Sequence, residues 1–258
     1  MFTGKAAPIS QAGIDTALDS LGVDAPSLWA VLAVETSGCG FLPDRRPKIL
    51  FERHWFSRLT AGCFDARAPE VSCRRPGGYG ASGAFQYERL EQAMALDRTA
   101  ALSSTSWGLG QVMGFNAGKV GFADVEALVA ASLESEDAQL GAMAEFIRQA
   151  DIASCLRRGD WSEFARRYNG QDFQKNQYDR KLDLNHKRFL HGAVPDLTTR
   201  TAQLGLMLLG YGAADFVDGW FGVKTQTALM KYQKLRGLPV TGAPDAASME
   251  RLRADLGW

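Results

Sequence analysis

Apolar and polar residues alternate at helical spacing along most of this chain. Glu88 to Leu102 reads as one helix, with Leu90, Ala93, Met94, Asp97 and Ala101 at helical intervals. Glu136 to Ala150 places Leu140, Met143, Phe146 and Ile147 on a single stripe. Asp160 followed by Glu163 has the form of a capping box and predicts a helix from Trp161 to Tyr168. Two stretches break this pattern. Lys48-Ile49-Leu50-Phe51 is a short strand candidate, and Arg75-Pro76-Gly77-Gly78-Tyr79-Gly80 is a Gly/Pro-rich loop. The expectation is a mainly α, α+β domain in which a small strand element beside a loop shapes a cleft.

The run from Leu28 to Val34 is unbroken in its apolar character and ends in Glu35. With Ser27 as N-cap after Pro26 and Gly38 or Gly40 as the stop, it predicts a buried helix of about two to three turns. Apolar walls and the negative end of the helix dipole both disfavour a charged carboxyl at Glu35. A carboxyl kept protonated near neutral pH is what a general acid needs to protonate a poor leaving group such as a glycosidic oxygen. The alternative is a glutamate that turns out into solvent.

His191 to Thr198, punctuated by Gly192 and Pro195, reads as a linker, and fresh helical periodicity follows it. Beyond it the chain repeats a unit of Gly turn, cap residue and amphipathic helix. Asp218-Gly219-Trp220-Phe221-Gly222 precedes the cap Thr225 and a helix with Ala228, Leu229 and Tyr232. Val240-Thr241-Gly242 precedes the cap Asp245 and a helix with Met249, Leu252 and Leu256. Gly237 closes the first of these helices. With residues 199–209 in front, this makes a three-helix module of about 60 residues, a viable small domain. It holds no acid–base set, which favours binding over catalysis.

Composition narrows the partners. The 258 residues carry 29 basic and 29 acidic side chains, so no global field steers the chain to nucleic acid or an anionic membrane. Seven basic and five acidic residues follow position 198, leaving 22 and 24 before it, so neither part is polarised. No signal-type apolar core opens the chain, and no window approaches the roughly 18 apolar residues of a membrane span. A cytoplasmic product with no stable membrane association is therefore expected. Cys39, Cys63, Cys73 and Cys155 show no metal-ligand spacing and are expected as free thiols. His54, His186 and His191 form no ligand pattern, so neither metal nor cofactor is expected.

Three segments, in order, resemble the lysozyme-like superfamily that includes goose-type lysozymes and lytic transglycosylases. They are Glu35-Thr36-Ser37-Gly38, Ser106-Trp107-Gly108-Leu109-Gly110-Gln111, and Ala165-Arg166-Arg167-Tyr168-Asn169-Gly170. More narrowly, residues from about 25 to 190 resemble the N-acetylmuramidase domain of phage endolysins. The segments that carry this are Arg46 to His54, Pro76-Gly77-Gly78-Tyr79, Phe115-Asn116 and Tyr178-Asp179. The C-terminal module resembles the three-helix peptidoglycan-binding domain through Asp218-Gly219, Phe221-Gly222, Thr225, Tyr232-Gln233 and Gly237-Leu238. It departs where Asp245 and Ser248 replace a more usual Gly-x-x-Thr.

The resemblance implies a catalytic domain over 1–190, a linker over 191–198 and a wall-binding domain over 199–258. It implies a monomeric endolysin that cuts the β-1,4 bond between N-acetylmuramic acid and N-acetylglucosamine, made in the host cytoplasm and released through a membrane pore. Peptidoglycan is then the partner of both domains. Glu35 is the implied general acid. Glu52 is the candidate second carboxylate, or else a structural ion pair with Arg45, Arg46 or Arg53; Asp65 and Asp97 are outsiders, Asp97 reading as a helix-surface charge. Ser106 and Gln111 are candidate sugar contacts or packing residues. Tyr168 and Asn169 would orient Glu35 and the substrate, and Tyr79 is a stacking platform or a turn residue. Trp107 and Trp161 are assigned to the core, whereas Trp220, in a turn, is an exposed candidate for wall binding with Tyr232. The rival readings are a lytic transglycosylase and a non-catalytic wall-binding or phage structural protein.

Overall fold

A computed structural model describes residues 2–35, 38–170, 173–213 and 216–258. Helices α1 (Gln11–Leu21) and α2 (Ala25–Glu35) lead into strand β1 (Ile49–Phe51) and helix α3 (Arg53–Leu59). A long loop precedes α4 (Phe85–Met94) and α5 (Arg98–Ser103). Strands β2 (Thr105–Trp107) and β3 (Val112–Met113) follow, with a 3-10 turn at Gly114–Val120. Then come α6 (Val125–Glu134), α7 (Glu136–Gln149), α8 (Ala153–Arg158) and α9 (Trp161–Asn169). After a 3-10 turn at Phe173–Asn176, α10 (Tyr178–His191) closes the larger part of the chain. The remainder is α11 (Leu197–Leu208), α12 (Val223–Arg236) and α13 (Ala246–Leu256). The architecture is mainly α with one small antiparallel sheet in the order β1-β2-β3, in which Ser106 pairs with Leu50 on one side and Met113 on the other.

The apolar run forms α2 as expected, but its start lies earlier. Asp24 accepts from the Ser27 backbone N–H at 3.0 Å, so Asp24 and not Ser27 caps the helix, and Ser27 is buried in its first turn. Pro26 fits that turn because its missing N–H has no intrahelical partner to lose. The expected helix from Glu88 to Leu102 is two helices. Asp97 turns back to accept from Ala100 N–H at 2.8 Å, which makes it the N-cap of α5 and not a mid-helix surface charge. The stripe on α7 is as expected, with Leu140, Met143 and Ile147 wholly buried. Asp160 caps α9 through Glu163 N–H, but the Glu163 carboxylate turns to Arg166, so only half of the capping box is built.

The main core packs Leu28, Trp29, Val31 and Leu32 of α2 against neighbours that include Phe51, Trp107, Leu140 and Phe164. Helix α2 runs against α10, and α1 against α7. Trp107 and Trp161 lie in this core, as expected. Among the described residues no single helix is long and apolar enough to cross a membrane. The four cysteines are free thiols.

The C-terminal helices build a second core around Leu206, Met207, Leu229, Tyr232 and Leu252. Helix α11 starts at Leu197, capped by Asp196, two residues before the expected start of the C-terminal module. Two glutamines perform the same task in the two repeats. Gln203 on α11 accepts from Asp218 and Gly219 N–H and donates to Trp220 O and Thr225 Oγ1. Gln233 on α12 accepts from Gly242 N–H and donates to Ala243 O and Ser248 Oγ. Thr225 is therefore not a cap, since α12 begins at Val223 after Gly222; its buried hydroxyl anchors the preceding helix. Ser248 supplies the same hydroxyl in the second repeat, so the departure from Gly-x-x-Thr leaves the fold intact. Asp245 does cap α13 and Gly237 does close α12 in the left-handed region.

The two parts are docked. Arg200 of α11 forms a buried ion pair with Glu136 of α7, and Trp258 Nε1 donates to Lys5 O at 3.0 Å. Cys39, from the larger part, is wholly buried within the C-terminal core. Gln233→Ala would strand several buried turn groups at once. A loss of about 1–3 kcal/mol is expected, read as a lower urea midpoint with an unchanged m-value.

Candidate active site

Glu35 is the last residue of α2 and Asn169 the last of α9, and their side chains meet although 134 positions separate them. Asn169 Nδ2 donates to Glu35 Oε1 at 2.8 Å. Gly170 lets the chain leave α9 at once, with φ 87° and ψ −176°, a region that essentially only glycine occupies. Burial drives the Glu35 carboxyl up from 4.5 to about 7, and the Asn169 hydrogen bond only partly opposes it. Thr36 and Ser37, which complete the first family-like segment, lie outside the described residues. The oxygen Oδ1 of Asn169 is buried and has no partner among the described residues.

Tyr168 lies close enough to Glu35 to feel its charge, and its hydroxyl donates to Gly110 O at 2.7 Å. The ring stacks on Phe164 and meets Phe146 edge-on, so it is fixed from three sides. Tyr178, at the start of α10, also lies close to Glu35. It lay in a family-like segment, but nothing in local periodicity marked it as a site residue.

A second cluster surrounds Glu52, which precedes α3. His54 Nδ1 lies 3.1 Å from Glu52 Oε2, and the Tyr79 side chain is near enough to the same carboxyl for the two to shift each other's titration. Burial pushes Glu52 up, while His54, Tyr79 and Arg89 pull it down; the balance stays above the ordinary value. The arginine partners anticipated for a structural ion pair are replaced by His54, which the sequence marked only by adjacency. Tyr79 is exposed, and its carbonyl is gripped by Gln86 Nε2 at 2.7 Å and Arg89 Nη1 at 2.9 Å. Its loop passes close to α3: at Gly78, with φ +69°, a Cβ would stand 2.6 Å from Arg53 Cζ.

Ser106 and Gln111 spend their polar atoms on the protein. Ser106 Oγ donates to Gln111 Oε1 at 2.8 Å, and Gln111 Nε2 donates to Gly108 O at 2.7 Å and Lys48 O at 3.2 Å. These bonds hold Gln111 at φ 48° and close the β2–β3 turn, whose Gly110 carbonyl receives Tyr168. The pair therefore braces the turn that Tyr168 packs on. Asp65 accepts from Ser57 and Ser72 hydroxyls and serves the loop after α3.

The two candidate wall contacts sit in different surroundings. Tyr232 is wholly buried and donates to Asp255 Oδ2 at 2.9 Å, because the helix face carrying it is the one that packs on α11 and α13. Trp220 is half-buried in the seam between the two parts, with the Arg188 guanidinium 4.8 Å from its ring centre. It lines a seam cavity of about 310 Å³ with Trp29, Leu32 and Phe189, so its turn position does not present an open ring.

A half-buried carboxyl with a raised pKa, where the ends of two helices meet in a mainly helical domain with one small sheet, fits a lysozyme-type glycoside hydrolase. The N-acetylmuramidase family pattern matches residues 24–190, and the pattern of a putative peptidoglycan binding domain matches residues 198–252. The crystal structure of the Burkholderia AP3 phage endolysin is 40% identical, with TM-score 0.66 over 70% of each chain. No curated protein matches the chain. The chain belongs to the N-acetylmuramidase family, and peptidoglycan is its substrate.

Because the native Glu35 carboxyl titrates near 7 instead of 4.5, the folded protein keeps a proton that the unfolded chain has released between those values. The stability tied to that proton is complete below pH 4.5 and lost as pH rises through about 7. Glu35→Gln is therefore expected to be more stable than wild type by ~3 kcal/mol at pH 8 and equally stable near pH 4. Urea unfolding of both proteins at the two pH values measures the difference.

Proposed function

We propose that Glu35 is the general acid of an endolysin that hydrolyses the β-1,4 bond between N-acetylmuramic acid and N-acetylglucosamine and so lyses the host cell. The observation that carries this reading is the Asn169–Glu35 contact in a site dry enough to keep the carboxyl protonated. Asn169 Nδ2 occupies Oε1, which leaves Oε2 to carry the proton to the glycosidic oxygen. The unpartnered Asn169 Oδ1 is an acceptor for a sugar N–H or O–H. Tyr168 and the Ser106–Gln111 clasp act through position, holding the site wall against Gly110.

Glu52 is the second carboxylate and acts as a base on water. Two carboxyls about 5 Å apart, as a retaining nucleophile requires, raise each other's pKa strongly. Burial and Asn169 account for Glu35 without Glu52, which speaks against the close pair that a retaining nucleophile would form. The exposed Tyr79 ring, near Glu52, offers a sugar platform beside it. In this reading residues 1–190 form the catalytic unit, 191–198 the connection and 199–258 the wall-binding unit. The protein works as a monomer, accumulates in the host cytoplasm and reaches the wall through a separate pore.

Mass spectrometry of peptidoglycan digests, with and without borohydride, tests the reaction. Reducible muramic acid ends are expected; anhydro ends would make the protein a lytic transglycosylase and Glu52 a structural charge. Glu35→Gln should release no fragments and still sediment with cell walls; release at the wild-type rate removes Glu35 from the chemistry. Glu52→Gln should lose about 10²–10⁴-fold in turnover with a native fold, the range for a lost general base.

A further inference from the structure

We propose that Arg200, on the wall-binding unit, is a positioning residue for catalysis: it holds the Gly38–Gly40 segment that follows Glu35, so the hydrolase is complete only with its C-terminal unit docked. The inference rests on the reading of Glu35 as general acid. Arg200 lies in the first turn of α11 and is almost fully buried. Its guanidinium donates to both carboxylate oxygens of Glu136, and Nη2 also donates to Gly38 O at 2.9 Å. Glu136 Oε1 in turn accepts from Gly40 N–H at 2.9 Å. One ion pair thus grips both ends of Gly38-Cys39-Gly40, and the segment begins three residues beyond Glu35.

The segment is also packed on both sides. Cys39 is wholly buried in the C-terminal core, and a Cβ at Gly40 would collide with the Gln139 carboxamide. Gln139 accepts from Leu109 N–H at 2.8 Å, next to the Gly110 carbonyl that receives Tyr168. Glu136 cannot swing to follow a displaced loop, because Ile9 N–H holds its other oxygen at 3.0 Å. Docking alone has other contacts, including Trp258 to Lys5 and Arg45 to Leu256. A lysine at 200 would satisfy a simple charge weld; only the planar fork reaches Glu136 and Gly38 together. Among the described residues, the groups close to Glu35 on the packed helices are Asn169 and Tyr168 on α9 and Tyr178 on α10, none charged at neutral pH.

The test uses the full chain and short, stem-free glycan oligomers, so wall attachment does not enter the rate. Arg200→Lys keeps the charge and loses the fork. The double variant Glu136→Gln with Arg200→Met leaves no uncompensated buried charge, and it serves as the second variant if Arg200→Lys does not fold. With native circular dichroism, either variant should lose at least about ten-fold in kcat with KM within about two-fold. The basic limb of its pH profile should move to lower pH, because a loosened segment admits water to Glu35. A folded variant with wild-type kcat and an unmoved basic limb overturns the proposal and reduces the pair to a weld. Glu35→Gln in the same assay separates the two readings: full activity there sinks the general acid itself, whereas an inactive Glu35→Gln beside normal Arg200 variants sinks only the positioning role.

Discussion

Glu136 is the carboxylate around which this molecule is assembled. It opens α7, it is wholly buried, and it receives Ile9 N–H, Gly40 N–H and both ends of the Arg200 guanidinium. Those donors come from the N-terminal segment, the segment after α2 and the C-terminal unit. An ion that deep costs several kcal/mol to desolvate, and the cost is offset only when every lone pair is matched. Here the matching outweighs burial and holds Glu136 below the ordinary carboxylate range. Removing any one donor leaves the others bound to a charge they no longer balance.

Three glutamates show how environment assigns roles to one side chain. Glu136 is buried with many donors and stays ionised. Glu35 is enclosed with a single side-chain donor and keeps its proton to about 7. Glu52 sits between these, raised by burial yet moderated by His54 and Tyr79. Desolvation acts on all three in the same direction; the number and charge of the donors decide the outcome. A candidate acid and a candidate base can thus stand in one domain because α2 and the Tyr79 loop give their carboxyls different surroundings.

The C-terminal unit shows how a small repeat is stabilised without a large core. Gln203 and Gln233 each tie the turn before the next helix to a hydroxyl in that helix's first turn. A tethered wall-binding module raises the local concentration of its partner through a flexible connection. Here the connection is short and the unit is docked through Arg200, Cys39 and Trp258, so orientation is set along with proximity.

Much of this was legible along the chain. The apolar run ending at Glu35, the strand at β1, the α7 stripe, the Asp160 and Asp245 caps and the three C-terminal helices all follow from short-range signals: periodicity, cap chemistry and glycine at helix ends. Those same signals misplaced the caps at Ser27 and Thr225 and joined α4 to α5 across Asp97, because a polar residue near a helix start fits several frames. The positions of Trp220 and Tyr232 followed from which face of α12 and which side of the turn met another element. The contacts of Glu35 with Asn169, Glu136 with Arg200 and Glu52 with Tyr79 join residues far apart in the chain. The sequence by itself determined which segments become helices and which carboxyl ends an apolar one. Only the tertiary structure decided which donors reach each buried carboxyl, since packing of distant elements sets both the desolvation and the hydrogen bonds that fix its charge.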